Sequence, residues 1–99
     1  MEIHTDGGAA PNPGFGGAGI YSKELNIQRF LSFSSVTNNQ MELIATIEGY
    51  IDFERNGVKK GKIITDSNYV KKGINEWKES WKKKNWNGVK NKELWQIID

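Results

Sequence analysis

Ninety-nine residues, with 14 Lys and Arg against 12 Asp and Glu, 36% hydrophobic and 26% charged, describe one small soluble α/β-sized domain (1–99) with room for a single core. There is no cysteine, which excludes a disulfide framework and thiolate metal sites, and His4 is the only imidazole; zinc and Ser-His-Asp chemistry are disfavoured, and any metal is expected to be a hard cation on carboxylates. No apolar run approaches the roughly 18 residues of a membrane span, and Met1-Glu2-Ile3-His4 lacks the regions of a signal peptide, so a cytoplasmic chain with no membrane partner is expected.

In chain order, Glu2 to Thr5 and Ala18 to Tyr21 have strand patterns, and Gln28 to Phe33 alternates polar and apolar residues as an antiparallel strand should. Together they predict a three-strand meander. Between the first two, Ala10-Pro11-Asn12-Pro13-Gly14-Phe15-Gly16-Gly17 reads as a turn. Thr37, Asn38 or Asn39 can cap a helix in which Met41, Ile44, Ala45, Ile47, Glu48 and Ile51 recur at helical spacing to about Arg55, and Gly57 ends it. Lys62 to Asp66 reads as a strand, Ser67 as the cap of a short helix with Tyr69 and Val70, Ile74 to Lys84 as an amphipathic helix, and Lys90 to Ile98 as a last one. Strand, helix, strand implies a parallel pairing, most simply of the strands ending in Asp6 and Asp66.

Residues 71 to 90 hold seven Lys against Glu76 and Glu79, a net charge of +5 that leaves −3 on the remainder. Trp77, Trp81 and Trp86 lie in the same stretch, the mixture of cations and flat aromatics that nucleic-acid surfaces use. Read alone, Lys82-Lys83-Lys84 is a solvated face, and Trp77 and Trp81, one turn apart, serve equally as core residues. Gly14-Phe15-Gly16-Gly17-Ala18-Gly19 fits the dinucleotide pattern G-x-G-x-x-G, but it follows a turn and leads into a strand, which fits a hairpin better. His4 shares a side of its strand with Asp6 and is expected to be structural. Asp6, Glu42 and Asp66 each have an ordinary reading as two turn residues and a helix-dipole Glu in a first turn. If their strands are neighbours they converge, and close like charges are tolerated when Mg²⁺ or Mn²⁺ binds between them.

Asp6-Gly7-Gly8, Pro11-Asn12-Pro13-Gly14 with Gly16-Gly17, Thr37-Asn38-Asn39-Gln40-Met41-Glu42-Leu43, Thr65-Asp66-Ser67-Asn68-Tyr69-Val70, Gly73-Ile74, Trp77, Trp81-Lys82, Asn85-Trp86, Val89-Lys90-Asn91 and Leu94-Trp95 together resemble bacterial-type ribonuclease H, in order, from Glu2 to about Ile98. The resemblance implies an RNase H-like fold, in which the meander joins a parallel strand with packed helices. It implies hydrolysis of the RNA strand of an RNA/DNA hybrid with two Mg²⁺ ions, leaving 5′-phosphate and 3′-hydroxyl ends. The family's carboxylates fall on Asp6, Glu42 and Asp66, with Gly7 beside the metal. Hybrid contacts fall on Gly8, Asn12, Asn38, Asn39, Gln40 and Asn68, DNA-phosphate contacts on Thr37 and Asn91, and a basic handle on Trp77, Trp81, Lys82, Lys83, Lys84 and Trp86.

The sequence departs from the family at three places. Gln40 stands where Arg is common, Asn68 where Gln is common, and Ser35 where an Arg often assists phosphate binding. The family also continues past the last helix seen here into a further strand, a His-bearing loop and a helix opening with a fourth metal-binding Asp, elements without a counterpart before Asp99. A chain without them is expected to expose a sheet edge and a helix face, and so to be marginally stable or to self-associate. The competing reading is a non-catalytic or weakly active hybrid-binding domain or fragment. A third, an integrase-type nuclease, is disfavoured by Asn38 to Glu42 and by the handle.

Overall fold

The computed structural model describes residues 1–98; Asp99 lies outside the described residues. Strands β1 (Glu2–Ala10), β2 (Gly14–Ser22) and β3 (Ile27–Val36) come first, then helix α1 (Asn38–Arg55) and strand β4 (Lys62–Thr65). Helix α2 (Asn68–Lys72), a π-helical turn (Gly73–Trp77), α3 (Lys78–Lys83) and α4 (Lys92–Ile98) complete the chain. β1 pairs antiparallel with β2, β2 with β3, and β4 lies parallel to β1, giving the order β3-β2-β1-β4. The meander and the parallel pairing therefore stand as read from the sequence.

Several boundaries differ from the reading, and β1 runs past Thr5 and Asp6 to Ala10. Only Pro11 to Pro13 form the turn, and the glycines after it belong to β2. Those glycines give other groups room, since a Cβ on Gly17 would stand 2.4 Å from the ring of Phe30 on the adjacent strand. The amphipathic segment from Ile74 to Lys84 is likewise not one helix but the π turn followed by α3.

Period-2 alternation sorts the sheet into two faces. Ile3, Thr5, Ala18 and Ile20 are buried on the face that packs against α1. Arg29 reaches α1 from that face, its Nε and Nη2 donating to Asp52 Oδ2 at 3.1 and 2.9 Å, and Nη2 also to Glu48 Oε2 at 3.4 Å. Burial alone would lower the Arg29 pKa, but the hydrogen bonds and charges of Asp52 and Glu48 outweigh it and hold it above its ordinary value. The other face carries His4, Asp6, Tyr21, Gln28, Phe30 and Ile64, and it stays open: Phe30 is 72% exposed and Tyr21 48%.

The expected single core is two clusters bridged by α1. Ile3, Ile20 and Phe53, with Leu25, Ile27, Leu31, Val58 and Ile63, fill the space between sheet and helix. Leu43, Val70, Trp86 and Trp95, with Tyr69, Ile74, Trp81 and Leu94 against them, form the second cluster under the basic segment. Because α1 is packed on two sides, its buried positions are Met41, Leu43, Ala45, Thr46, Gly49, Asp52 and Phe53; of the expected stripe Met41 and Ala45 are buried, whereas Ile44, Ile47, Glu48 and Ile51 are only half-buried. Tyr69 Oη ties the second cluster together, accepting from Trp95 Nε1 at 2.9 Å and from Asn91 Nδ2 at 3.3 Å.

The π turn begins at Gly73, against which the Trp95 indole lies: a Cβ there would stand 2.0 Å from Trp95 Cη2. Trp95 is fully buried and has no room to retreat. Gly73→Ala is expected to destabilise the protein by about 1–3 kcal/mol through overpacking, with tryptophan emission shifted to the red. Urea unfolding followed by fluorescence checks this, and an unchanged midpoint would refute the close packing.

Candidate active site and nucleic-acid interface

With Thr5 opposite Thr65 in the parallel pair, the next residues, Asp6 and Asp66, follow side by side, Asp66 just past the end of β4 and Asp6 still within β1, paired with Gly19. Both line a cavity of about 750 Å³ on the open face, together with His4, Tyr21, Gln28, Phe30 and Ile64. Both are exposed, and neither carboxylate has a hydrogen-bond or ion-pair partner among the described residues. Two unpartnered carboxylates on one cavity offer hard oxygen ligands with nothing in the protein to neutralise them. His4, expected to be structural, is instead an exposed wall of the same cavity, its ring 6.3 Å from that of Tyr21.

Glu42 is placed differently from the reading. It is the fifth residue of α1, the first turn of which has no acid, so its carboxylate does not serve the helix dipole. It is half-buried and is not among the walls of the cavity. The reason is the layer order: Asp6 belongs to the open face, α1 packs on the other, and the backbone of Gly7 lies between them, its Cβ position 2.6 Å from Glu42 N. Among the described residues no group of three or more His, Asp or Glu side chains stands close enough to hold a metal ion; Asp6 and Asp66 line one cavity, and Glu42 does not.

The carboxamides cluster where α1 begins. Thr37 caps the helix with a full capping box: Thr37 Oγ1 accepts from Gln40 N at 3.1 Å, and Gln40 Oε1 accepts from Thr37 N at 2.9 Å. Asn38 Oδ1 accepts from the Ala9 amide at 2.5 Å, and Asn12 Oδ1 from the Asn38 amide at 3.0 Å. These bonds lash the Pro11–Pro13 turn and the end of β1 to the helix start. Asn39 and Asn68 have no hydrogen-bond partner for their side chains among the described residues. Ser35 has a positive φ of 56° at the end of β3.

Of the three handle tryptophans, two are core. Trp86 is buried, and Trp81 packs its ring against Trp77, Trp86 and Trp95 at centroid distances of 5.8, 6.2 and 5.1 Å. Trp77 keeps an accessible face beside Tyr69. The i, i+4 spacing that suggested a binding stripe turns inward because Trp95, in α4 and outside that stripe, fills the centre. Lys82, Lys83 and Lys84 are exposed, Lys82 with Glu79 one turn away at 3.8 Å. Asn91, expected from the resemblance at DNA phosphate, gives one amide N–H to Tyr69, a residue whose role the sequence reading missed; its position four residues after Thr65, facing a later Trp, was the available signal.

The four-stranded mixed sheet with α1 across one face and the helical segment beyond it is an RNase H fold. LC11-RNase H1, solved in complex with RNA/DNA hybrid, is 26% identical with a TM-score of 0.66, covering 86% of this chain and 73% of that one. The foamy viral protease-reverse transcriptase, solved with dsDNA, shares the fold at a TM-score of 0.75 and 23% identity over 98% of this chain and 70% of that one. The family model for RNase H matches residues 1–99. Ribonuclease H of Hydrogenovibrio crunogenus is 43% identical across the whole chain and 72% of its own length, and that of Pseudomonas fluorescens 42% identical across the whole chain and 69% of its own. This chain belongs to the ribonuclease H family of endoribonucleases. It spans about 70% of the length of these relatives.

Proposed function

We propose that the chain is a divalent-metal-dependent endonuclease that hydrolyses the RNA strand of RNA/DNA hybrids, leaving 5′-phosphate and 3′-hydroxyl ends. The observation that supports it is the pair Asp6 and Asp66 on one open cavity, in a family with a member solved on a hybrid. The donor set fits a hard cation, because Mg²⁺ is commonly held by one or two carboxylates and completed by substrate phosphates and water, and Mn²⁺ takes the same ligands. Asp6 and Asp66 would hold it, with Gly7 beside them and Glu42 the third carboxylate at this end of the sheet. Two ions supply, when bound, an activated water and charge stabilisation at the leaving 3′ oxygen.

The chain's own residues position the hybrid. Gly7 and Gly8, without side chains, allow the RNA backbone to approach β1 beside Asp6. Asn12, Asn38, Asn39 and Asn68 offer amides to the 2′-hydroxyl and the minor groove. Thr37, its oxygen accepting from Gln40, keeps its hydroxyl proton for a DNA phosphate. Trp77 offers an aromatic face, and Lys82 to Lys84 bring charge to the phosphates.

Incubation of an end-labelled hybrid with and without Mg²⁺ tests this: RNA-strand products with 3′-hydroxyl ends that depend on the metal are expected. Binding without products favours the alternative, a non-catalytic or weakly active hybrid-binding domain or fragment. Binding is also expected to fall steeply with salt, and replacement of Lys82, Lys83 and Lys84 by Ala to flatten log K against log salt by up to about three units, at roughly 0.9 per phosphate contact. An unchanged slope would leave the run as a solvated face.

A further inference from the structure

Strand β4 has one bare side. It is bordered by β1 and by no second strand among the described residues, and it runs Lys62-Ile63-Ile64-Thr65 into Asp66. The Lys62 amide donates to Met1 O at 2.9 Å, so in the parallel ladder Lys62 and Ile64 turn their backbone groups to β1, while the N–H and C=O of Ile63 and Thr65 point outward. Outward groups of this kind are a template for another strand. Period-2 alternation sets Lys62, Ile64 and Asp66 on the open face of the sheet, a cation and an anion on either side of an apolar centre. Lys62 and Asp66 are exposed, and neither has an ion pair among the described residues.

This edge is complementary to itself. When two copies of β4 lie antiparallel with Ile64 on the two-fold axis, Ile63 of each copy faces Thr65 of the other, and each such pair exchanges both backbone hydrogen bonds. Lys62 of each copy then falls opposite Asp66 of the other, and Ile64 meets Ile64. Gly61 falls opposite Ser67, so the incoming strand brings no side chain to the point where α2 begins. Either neighbouring register that still pairs the outward groups sets Lys62 or Asp66 against Ile64, and loses both ion pairs. The other edge of the sheet, β3, carries one charge, Arg29, which Asp52 and Glu48 already hold, so nothing on it selects a register.

We propose that a second copy of this chain pairs with β4 about this two-fold axis and places its Lys62 against Asp66, so that self-association and cation binding at Asp66 exclude one another. The pairing stands on the strand edge alone, whereas the exclusion rests on the cation reading above. An ammonium held on the carboxylate and a divalent cation bound to it compete for the same oxygens, and by linkage each weakens the other.

Sedimentation equilibrium of the 99-residue chain without divalent cation reads the association. An edge of four residues is a small interface, so a dissociation constant on the order of 100 µM is expected. Lys62→Asp and Asp66→Lys are each expected to weaken association about a hundredfold, because two ion pairs become two like-charge pairs. Mixed in equal amounts, the two variants are expected to associate to within about tenfold of the parent, since both contacts of the mixed pair again join an Asp to a Lys. Recovery on mixing separates this cause from misfolding, which a second misfolded chain would not repair. A parent that stays monomeric at about 1 mM, a Lys62→Asp chain that associates like the parent, or a mixture that stays monomeric overturns the pairing, and leaves the functional reading untouched. Mg²⁺ is expected to shift the parent toward monomer further than Na⁺ does at equal ionic strength. Equal effects of the two salts, with recovery on mixing intact, overturn the exclusion and the place of Asp66 as a cation ligand, while the pairing stands.

Discussion

Asp6→Asn and Asp66→Asn are each expected to lower hybrid cleavage by about a thousandfold or more, since the cation chemistry that these carboxylates support is worth several kcal/mol of transition-state stabilisation. Neither change costs a contact, because both side chains are exposed and without partners among the described residues, and the amide has nearly the volume of the acid. Unfolding midpoints should stay within the range of an ordinary surface change, about 0.5 kcal/mol. Hybrid binding without metal should tighten slightly, because one negative charge is removed from beside the phosphates. Activity, stability and affinity thus move separately, and this separation distinguishes a chemical role from a structural one. A variant that cleaves at the parent rate would remove that residue from the reaction.

How far the sequence reveals this site depends on the link involved. The convergence of Asp6 and Asp66 is legible because it follows from pairing alone: each comes one residue after a Thr, and the parallel register sets Thr5 opposite Thr65, although β1 runs on past Asp6 to Ala10. The position of Glu42 is not legible, since it depends on which sheet face α1 covers, and the face is set by Ile3, Thr5 and Ile20 acting together with Arg29. A signal was available in Asp52, an acid on the apolar side of α1 that needs a cation opposite it, and Arg29 is the strand residue that meets it. The amide network at Asn12 and Asn38 was invisible for the opposite reason: exposed polar residues satisfy any pattern, and only the fold decides that their oxygens turn inward. In the basic segment, composition could not separate Trp77 from Trp86, because one aromatic stripe supplies both a core and a surface, and Trp95 decides which is which.

Gly7→Ala should combine a loss of stability with a loss of activity. The added methyl would stand 2.4 Å from Met41 C and O and 2.6 Å from Glu42 N. These are backbone atoms of α1 and cannot rotate aside, as a side-chain end could. For the helix to retreat, fully buried Met41 and Leu43 must move, and the hydrogen bond from Ala9 to Asn38 must stretch. Overpacking costs about 1–3 kcal/mol, and the upper end is expected where backbone meets backbone. For a domain of this size that lowers Tm by about 10–20 °C. The same retreat separates β1, which carries Asp6, from the helix start, which carries Asn38 and Glu42. A misplacement of about 1 Å at reacting groups can cost a hundredfold in rate, so cleavage below the melting point should fall by about that factor while the Lys82 to Lys84 surface, remote from the change, still supports salt-sensitive binding. Differential scanning calorimetry and cleavage at a temperature where both proteins are folded measure the two effects. A variant with parent Tm and parent rate would mean that β1 and α1 do not touch at Gly7, and the explanation of why Glu42 does not line the cavity would fall with that contact.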